Sequence, residues 1–229
     1  MSTKAQAEIE RIMATISQAI VDHRLPPGTR LIESKLVEAL VANRNHVRAA
    51  LQRLAAETKV VSILANRGAI VAQPSIKEAR DIFETRTVLE RAIVSLATRN
   101  LNARNKNRLL KQLEQEKLAI EAKDRQQMIR ESGRFHALLA EIGGNTVLAE
   151  LLDSLIKRTS LIIALYQGTP DVQCTLEEHQ ALAHAILAGD EASAMQLNDV
   201  HMHTIESHLL LSESSPNVDI KAALSTTVC

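Results

Sequence analysis

Residues 25–72 read LPPGTRLIESKLVEALVANRNHVRAALQRLAAETKVVSILANRGAIVA. Leu25-Pro26-Pro27-Gly28 is a strong chain breaker. After it, a short helix fits Glu33–Ala42, with Leu36, Val37 and Leu40 apolar. Asn43 can cap a further helix through about Glu57, whose Val47, Leu51 and Leu54 share one face. The two helices are almost contiguous, a helix-turn-helix spacing. Val60–Ile63 and Ala69–Ala72 are β-prone runs that flank Asn66-Arg67-Gly68, which reads as a hairpin. Upstream, Ile9, Ile12, Met13, Ile16 and Ile20 recur at helical spacing over residues 4–22. Three helices followed by a hairpin make a winged helix-turn-helix.

Downstream, Gln73-Pro74 breaks the pattern and Ser75-Ile76-Lys77-Glu78 reads as a capping box. A domain boundary is expected here, giving a winged helix-turn-helix over residues 1–74 and a helical domain over 75–211. The helical part reads as six helices, near 76–99, 104–122, 125–142, 146–167, 176–188 and 191–211. Thr175-Leu176-Glu177-Glu178 reads as a second capping box. Residues 212–229 are polar, unpatterned and expected to be disordered. The fold class is therefore mainly α: a winged helix-turn-helix plus an all-α bundle of six or seven helices.

Composition excludes several functions. Phe83, Phe135 and Tyr166 are the only aromatics, which argues against a base-stacking nucleic-acid module and a sugar cleft. Seven Gly and five Pro in 229 residues leave few turns, which disfavours a sandwich or barrel. No apolar run approaches the ~18 residues of a membrane span. Cys174 and Cys229 do not make a disulfide framework. A reduced, cytoplasmic protein is expected. Net charge is zero, but residues 1–75 hold ten Lys/Arg against six Asp/Glu, while the rest hold seventeen against twenty-one. A basic N-terminal part on an acidic body fits nucleic-acid binding.

The stretch quoted above is similar to the winged-helix domain of the GntR family of bacterial transcription regulators. The resemblance rests on Pro27-Gly28, the Asn43–Leu51 helix with Arg44, Val47 and Arg48, and Arg67-Gly68. Three later stretches, IFETRTVLERAIVSLAT, RFHALLAEIGGNTVLAELLDSL and EEHQALAHAILAGDEASAMQLNDVH, resemble the helical effector domain of the FadR branch (FCD-type). The recognition helix departs from the family pattern. Asn43 stands where Ser is usual, Asn45-His46 replace Thr-Pro, and Ala49 replaces Glu.

The resemblance implies that the helix from Asn43 enters the major groove. Arg44 and Arg48 are four apart on one helix face and suit guanine O6 and N7. Asn45 can read adenine or meet phosphate, and His46 adds a donor. Asn43 sits at the helix N-terminus, where backbone amides favour phosphate. In the wing, Arg67 suits the minor groove, with Asn66 and Gly68 allowing close approach. Arg53 is read as a packing or salt-bridge residue. A palindromic operator and a homodimer are implied.

In the helical domain His136, His179 and His201 match the family's metal positions on three helices. Three neutral imidazoles suit Zn²⁺ or Ni²⁺. The family's fourth ligand, an Asp one turn before the first His, is Ser132 here, and a hydroxyl is a poor replacement. Arg86 matches an Arg that can face the effector pocket and hold a small carboxylate; the competing reading is an ion pair with Glu90 at i+4. His203, two residues after His201 and about 200° round the helix, is expected to face elsewhere, and His184 and His208 are read as surface or packing residues. The leading expectation is a ligand-responsive repressor released from DNA by a small organic acid. The alternative is a DNA-binding regulator whose effector pocket has decayed. A metal-dependent hydrolase is a remote third, because no general base, G-x-S-x-G, H-E-x-x-H or phosphate loop occurs.

Overall fold

The first helix buries one stripe of isoleucines. In the computed structural model, which describes residues 3–65, 67–166 and 172–209, α1 spans Thr3–Val21. Ile9, Ile12, Ile16 and Ile20 are all buried. They pack on Val47, Ala50, Leu51 and Leu54 of the third helix. Helix α2 covers Glu33–Leu40 and α3 covers Arg44–Arg53. Asn43 caps α3 as expected, its side chain accepting from the Asn45 amide. Helix α3 then widens into a π-helical turn, Leu54–Thr58, which the sequence reading runs together with α3.

The wing has one more strand than expected. Strand β2 (Val61–Leu64) pairs antiparallel with β3 (Gly68–Val71), and the two-residue β1 (Arg30–Leu31) pairs with the other edge of β3. Arg30 thus stands opposite Ile70, and Leu31 opposite Ala69. A two-residue strand carries no periodicity, so the sequence does not reveal it.

The remaining described helices are α4 (Ile76–Arg99), α5 (Ala103–Glu121), α6 (Arg125–Gly143), α7 (Thr146–Tyr166), α8 (Val172–Ala188) and α9 (Glu191–Ser207). Ser75 caps α4 by accepting from the Glu78 amide, but Glu78 does not complete a box. Its carboxylate instead receives Arg158 of α7 at 2.5 Å. The expected box at Thr175–Glu178 is a misreading. Thr175 lies inside α8, and the Glu178 carboxylate is committed to His201. Gly144, at φ 75°, ends α6 in the left-handed conformation that costs glycine nothing. Asn145 then accepts from the Leu148 amide at the start of α7.

Helices α4 to α9 enclose one core around Phe135, Leu139, Leu152 and Leu182. A smaller one forms where α4, α7 and α9 meet, around Ile82, Phe83 and Ile162. Helix α7 also reaches the N-terminal part: Leu161 is fully buried in the core built by α1 and α3. Residues 212–229 and Asn66 lie outside the described residues.

Candidate metal centre and nucleic-acid interface

Three histidine rings meet where α6, α8 and α9 cross. Phe135 stacks on His179 and fixes that ring, with centroids 4.1 Å apart. His179 Nε2 lies 3.1 Å from His201 Nε2, which lies 3.3 Å from His136 Nε2. All three residues are buried. Each ring turns its other nitrogen to a carboxylate. His136 Nδ1 is 2.6 Å from Glu90, His179 Nδ1 is 2.7 Å from Glu116, and His201 Nδ1 is 2.7 Å from Glu178. Such partners hold the proton on Nδ1. With the proton on Nδ1, the three Nε2 lone pairs point at one another.

The electrostatics agree. Burial lowers the affinity of all three imidazoles for protons, His201 to about 4 and His179 well below its usual value. The rings are therefore neutral at pH 7. Burial would raise Glu90, but the Arg86 guanidinium and His136 override it and hold its carboxyl well below the usual range. Glu116 has no such cation. Burial pushes its carboxyl up to about 8, and its Oε1 has no hydrogen-bond partner.

These residues fit a first-row divalent ion. Ligand nitrogens at ~2.0–2.1 Å from one ion, at tetrahedral or octahedral angles, stand roughly 2.9–3.4 Å apart. The observed 3.1 and 3.3 Å fall in that range. An ion would place positive charge beside the uncompensated Glu116 and satisfy the converging lone pairs.

Beside His136 opens a cavity of about 150 Å³. One water needs only ~10–15 Å³. Ser132, one turn before His136, lines it with Arg86 and Glu116. Arg86 is buried and its Nε donates to Glu90 Oε1 at 2.6 Å. The ion-pair reading of Arg86 therefore holds, and the residue also lines the cavity. Most of the remaining wall is aliphatic, including Ile120, Met128, Ile129, Ile156, Ile163 and Ile205. The three carboxylates behind the histidines were not read from sequence. Each sits on a different helix from its ring, far away in sequence (63 positions for Glu116 and 23 for Glu178), so no local motif marks it. His184, His203 and His208 are exposed, as expected.

On the N-terminal part, Asn43, Arg44, Asn45, Arg48, Arg67 and Gly68 are exposed, and His46 is half-buried near Glu8. Arg48 is not free. Its Nε and Nη2 donate to both Glu33 oxygens at 2.9 and 2.8 Å. Arg48, Glu33 and Arg67 rim one groove between α3, the start of α2 and the wing. The wing position Asn66 lies outside the described residues. Arg53 pairs with Glu57 one turn on, as its reading expected.

Comparison with known proteins agrees with this architecture. The family described as bacterial regulatory proteins, gntR family, matches residues 8–71, and the FCD domain matches residues 81–204. The chain belongs to the GntR family and carries an FCD domain. It is a DNA-binding transcription regulator. It is 28% identical to the HTH-type transcriptional repressor GlaR of Escherichia coli, covering 81% of this chain and 88% of that one. It is 24% identical to the uncharacterized HTH-type transcriptional regulator YdhC of Bacillus subtilis, covering 88% and 92%. E. coli McbR/YncC shares the fold at TM-score 0.79 and 22% identity, over 87% of this chain and 95% of that one. A GntR regulator from Rhodococcus does so at 0.76 and 24%, over 88% and 96%. No described helix of this GntR regulator is long and apolar enough to cross a membrane.

Proposed function

We propose that this regulator is a homodimeric repressor, with residues 1–74 binding an operator and residues 75–211 binding a small carboxylate that releases it. The carrying observation is the convergence of three histidine Nε2 atoms beside a cavity that also holds a buried arginine. In this reading His136, His179 and His201 hold Zn²⁺ or Ni²⁺. The ion supplies a Lewis-acidic anchor for an anion. Arg86 adds a fixed positive charge, and Ser132 leaves open the position a carboxylate would fill. At the other end Arg44 and Arg48 read bases, Asn43, Asn45 and His46 meet the backbone or base edges, and Arg67 with Gly68 follows the adjacent groove. Occupancy changes operator affinity by favouring one arrangement of the two winged helices.

Ser132 favours one second reading, a regulator whose cavity no longer responds. One series of experiments separates them. The operator is selected from random duplex DNA, and its dissociation constant is measured with zinc-loaded protein with and without carboxylates. Weakening of tenfold or more by an acid supports the effector reading. Unchanged affinity across the series supports the second. Failure to enrich any duplex overturns both.

A further inference from the structure

Seven arginines lie in residues 1–74, and four of them are occupied inside the fold. Arg11 pairs with Glu8, Arg24 with Asp22, Arg48 with Glu33 and Arg53 with Glu57. Arg30, Arg44 and Arg67 are exposed and make no ion pair with any described residue. Arg44 belongs to the major-groove helix and Arg67 to the wing tip. Arg30 belongs to neither.

The fold places Arg30 between those two elements. It opens β1, and its pairing opposite Ile70 of β3 holds it on the wing sheet. It lines the groove between α3 and the wing, with Arg48 of α3 and Arg67 of the wing. Among the described residues Glu33 is the only acid on that groove, and Arg48 already pairs with it. Ile32 and Ile63 line it too, 45% and 52% exposed. Both stand outside the core beneath, and Ile32, at the N-cap of α2, caps nothing.

The shape of a duplex says what belongs there. Any path from the major groove to the adjacent minor groove crosses one sugar-phosphate backbone. With α3 in the major groove and Arg67 in the minor groove, that backbone lies in the groove between them. It presents anionic phosphates in alternation with the apolar faces of sugars. Three guanidiniums against one carboxylate complement the phosphates. The exposed isoleucines complement the sugars, where both surfaces leave water.

We infer that this groove seats the backbone of one operator strand, with Arg30 on a phosphate and Ile32 and Ile63 against the flanking deoxyriboses. This rests on α3 and the wing docking as proposed above. Arg30 then adds affinity without sequence preference.

The test uses the full-length protein, the duplex it selects from random sequence, and a scrambled duplex of equal length. Dissociation constants are read by fluorescence anisotropy from about 50 to about 200 mM KCl. Each phosphate neutralised adds about 0.9 to the slope of log affinity against log salt. Arg30→Ala should therefore flatten the slope by about 0.9 per winged helix bound, and weaken both duplexes by the same factor. Arg30→Lys should restore most of the slope. Single methylphosphonates, each removing the charge of one phosphate, are then placed along the operator. At one position per half-site the replacement should weaken wild type and leave Arg30→Ala unaffected. Ile32→Ala and Ile63→Ala should weaken both duplexes roughly fourfold, as for one methylene returned to water, with the slope unchanged. A slope and a methylphosphonate pattern that Arg30→Ala leaves as in wild type overturn the phosphate contact. Isoleucine variants that bind as wild type overturn the sugar contact. So does loss of the dimer in sedimentation, which would give those side chains to a second copy of the chain. Wild-type protein that enriches no duplex overturns the docking itself, a result distinct from all of these.

Discussion

At the scale of single residues, the Arg48–Glu33 pair shows how one contact can hide another. Both groups are substantially exposed, so solvent screens the pair and it contributes little. A bidentate guanine contact is worth about 1–3 kcal/mol of discrimination. If Arg48 reads a guanine as proposed, the base contact outweighs the pair, which then opens on DNA. Arg48→Ala should weaken specific operator binding by roughly 1–3 kcal/mol, read by fluorescence anisotropy. Glu33→Gln should do the opposite and tighten it by up to about 1 kcal/mol, since no pair is then broken and one negative charge leaves the phosphate-facing side. Equal affinity in wild type and Arg48→Ala would remove the base contact. The histidines carry a second residue-scale prediction. His179→Ala deletes one Nε2 and strands Glu116, so purified protein should lose its metal by elemental analysis while circular dichroism keeps its helical signal. Arg86 was legible in sequence because its partner Glu90 is one turn away. Glu116 and Glu178 were not, because their rings are brought to them only by packing.

At the scale of elements, most of the chain was legible because its helices announce themselves by caps and apolar spacing. Asn43, Ser75 and Asn145 cap as their positions suggest. What stayed hidden lacks period or length: the two-residue β1, the π-helical turn at Leu54–Thr58, and the turn between α2 and α3. That turn rests on Val41, at φ 49°, with 90% of its surface exposed. A β-branched residue in the left-handed region is an outlier, costing roughly 1–2 kcal/mol. Its amide still closes α2 by donating to Glu38 and Val37 carbonyls. Because the side chain packs on almost nothing, Val41→Gly should remove the strain without loss of contacts. Glycine's extra chain entropy returns about 0.5–1 kcal/mol of that gain. A net stabilisation of up to about 1 kcal/mol is expected in urea unfolding, and a drop in the midpoint would show that Val41 touches something in solution.

At the scale of the whole molecule, the buried polar cluster sets how stability depends on pH in metal-free protein. His201 has a folded value of about 4 against an ordinary 6.5. Between those values the unfolded chain holds the extra proton, so stability rises with pH across that window and is lost on going from 6.5 to 4. His136 and His179 are lowered too and act with the same sign. Glu116 acts the other way. Its folded value is raised to about 8, so the stability it contributes is complete below its unfolded value near 4.5 and drains away as pH climbs to 8. Three groups gain against one that loses below pH 6.5, and only the loss remains above it. Chelator-treated protein should therefore be most stable near pH 6–7 and fall on both sides. Zinc changes the alkaline side, because a cation beside Glu116 removes the reason for its raised value. With one equivalent of Zn²⁺ the melting temperature should stay level from pH 7 to 8, where the chelated protein falls. Parallel curves with and without zinc would mean that no ion reaches the three histidines.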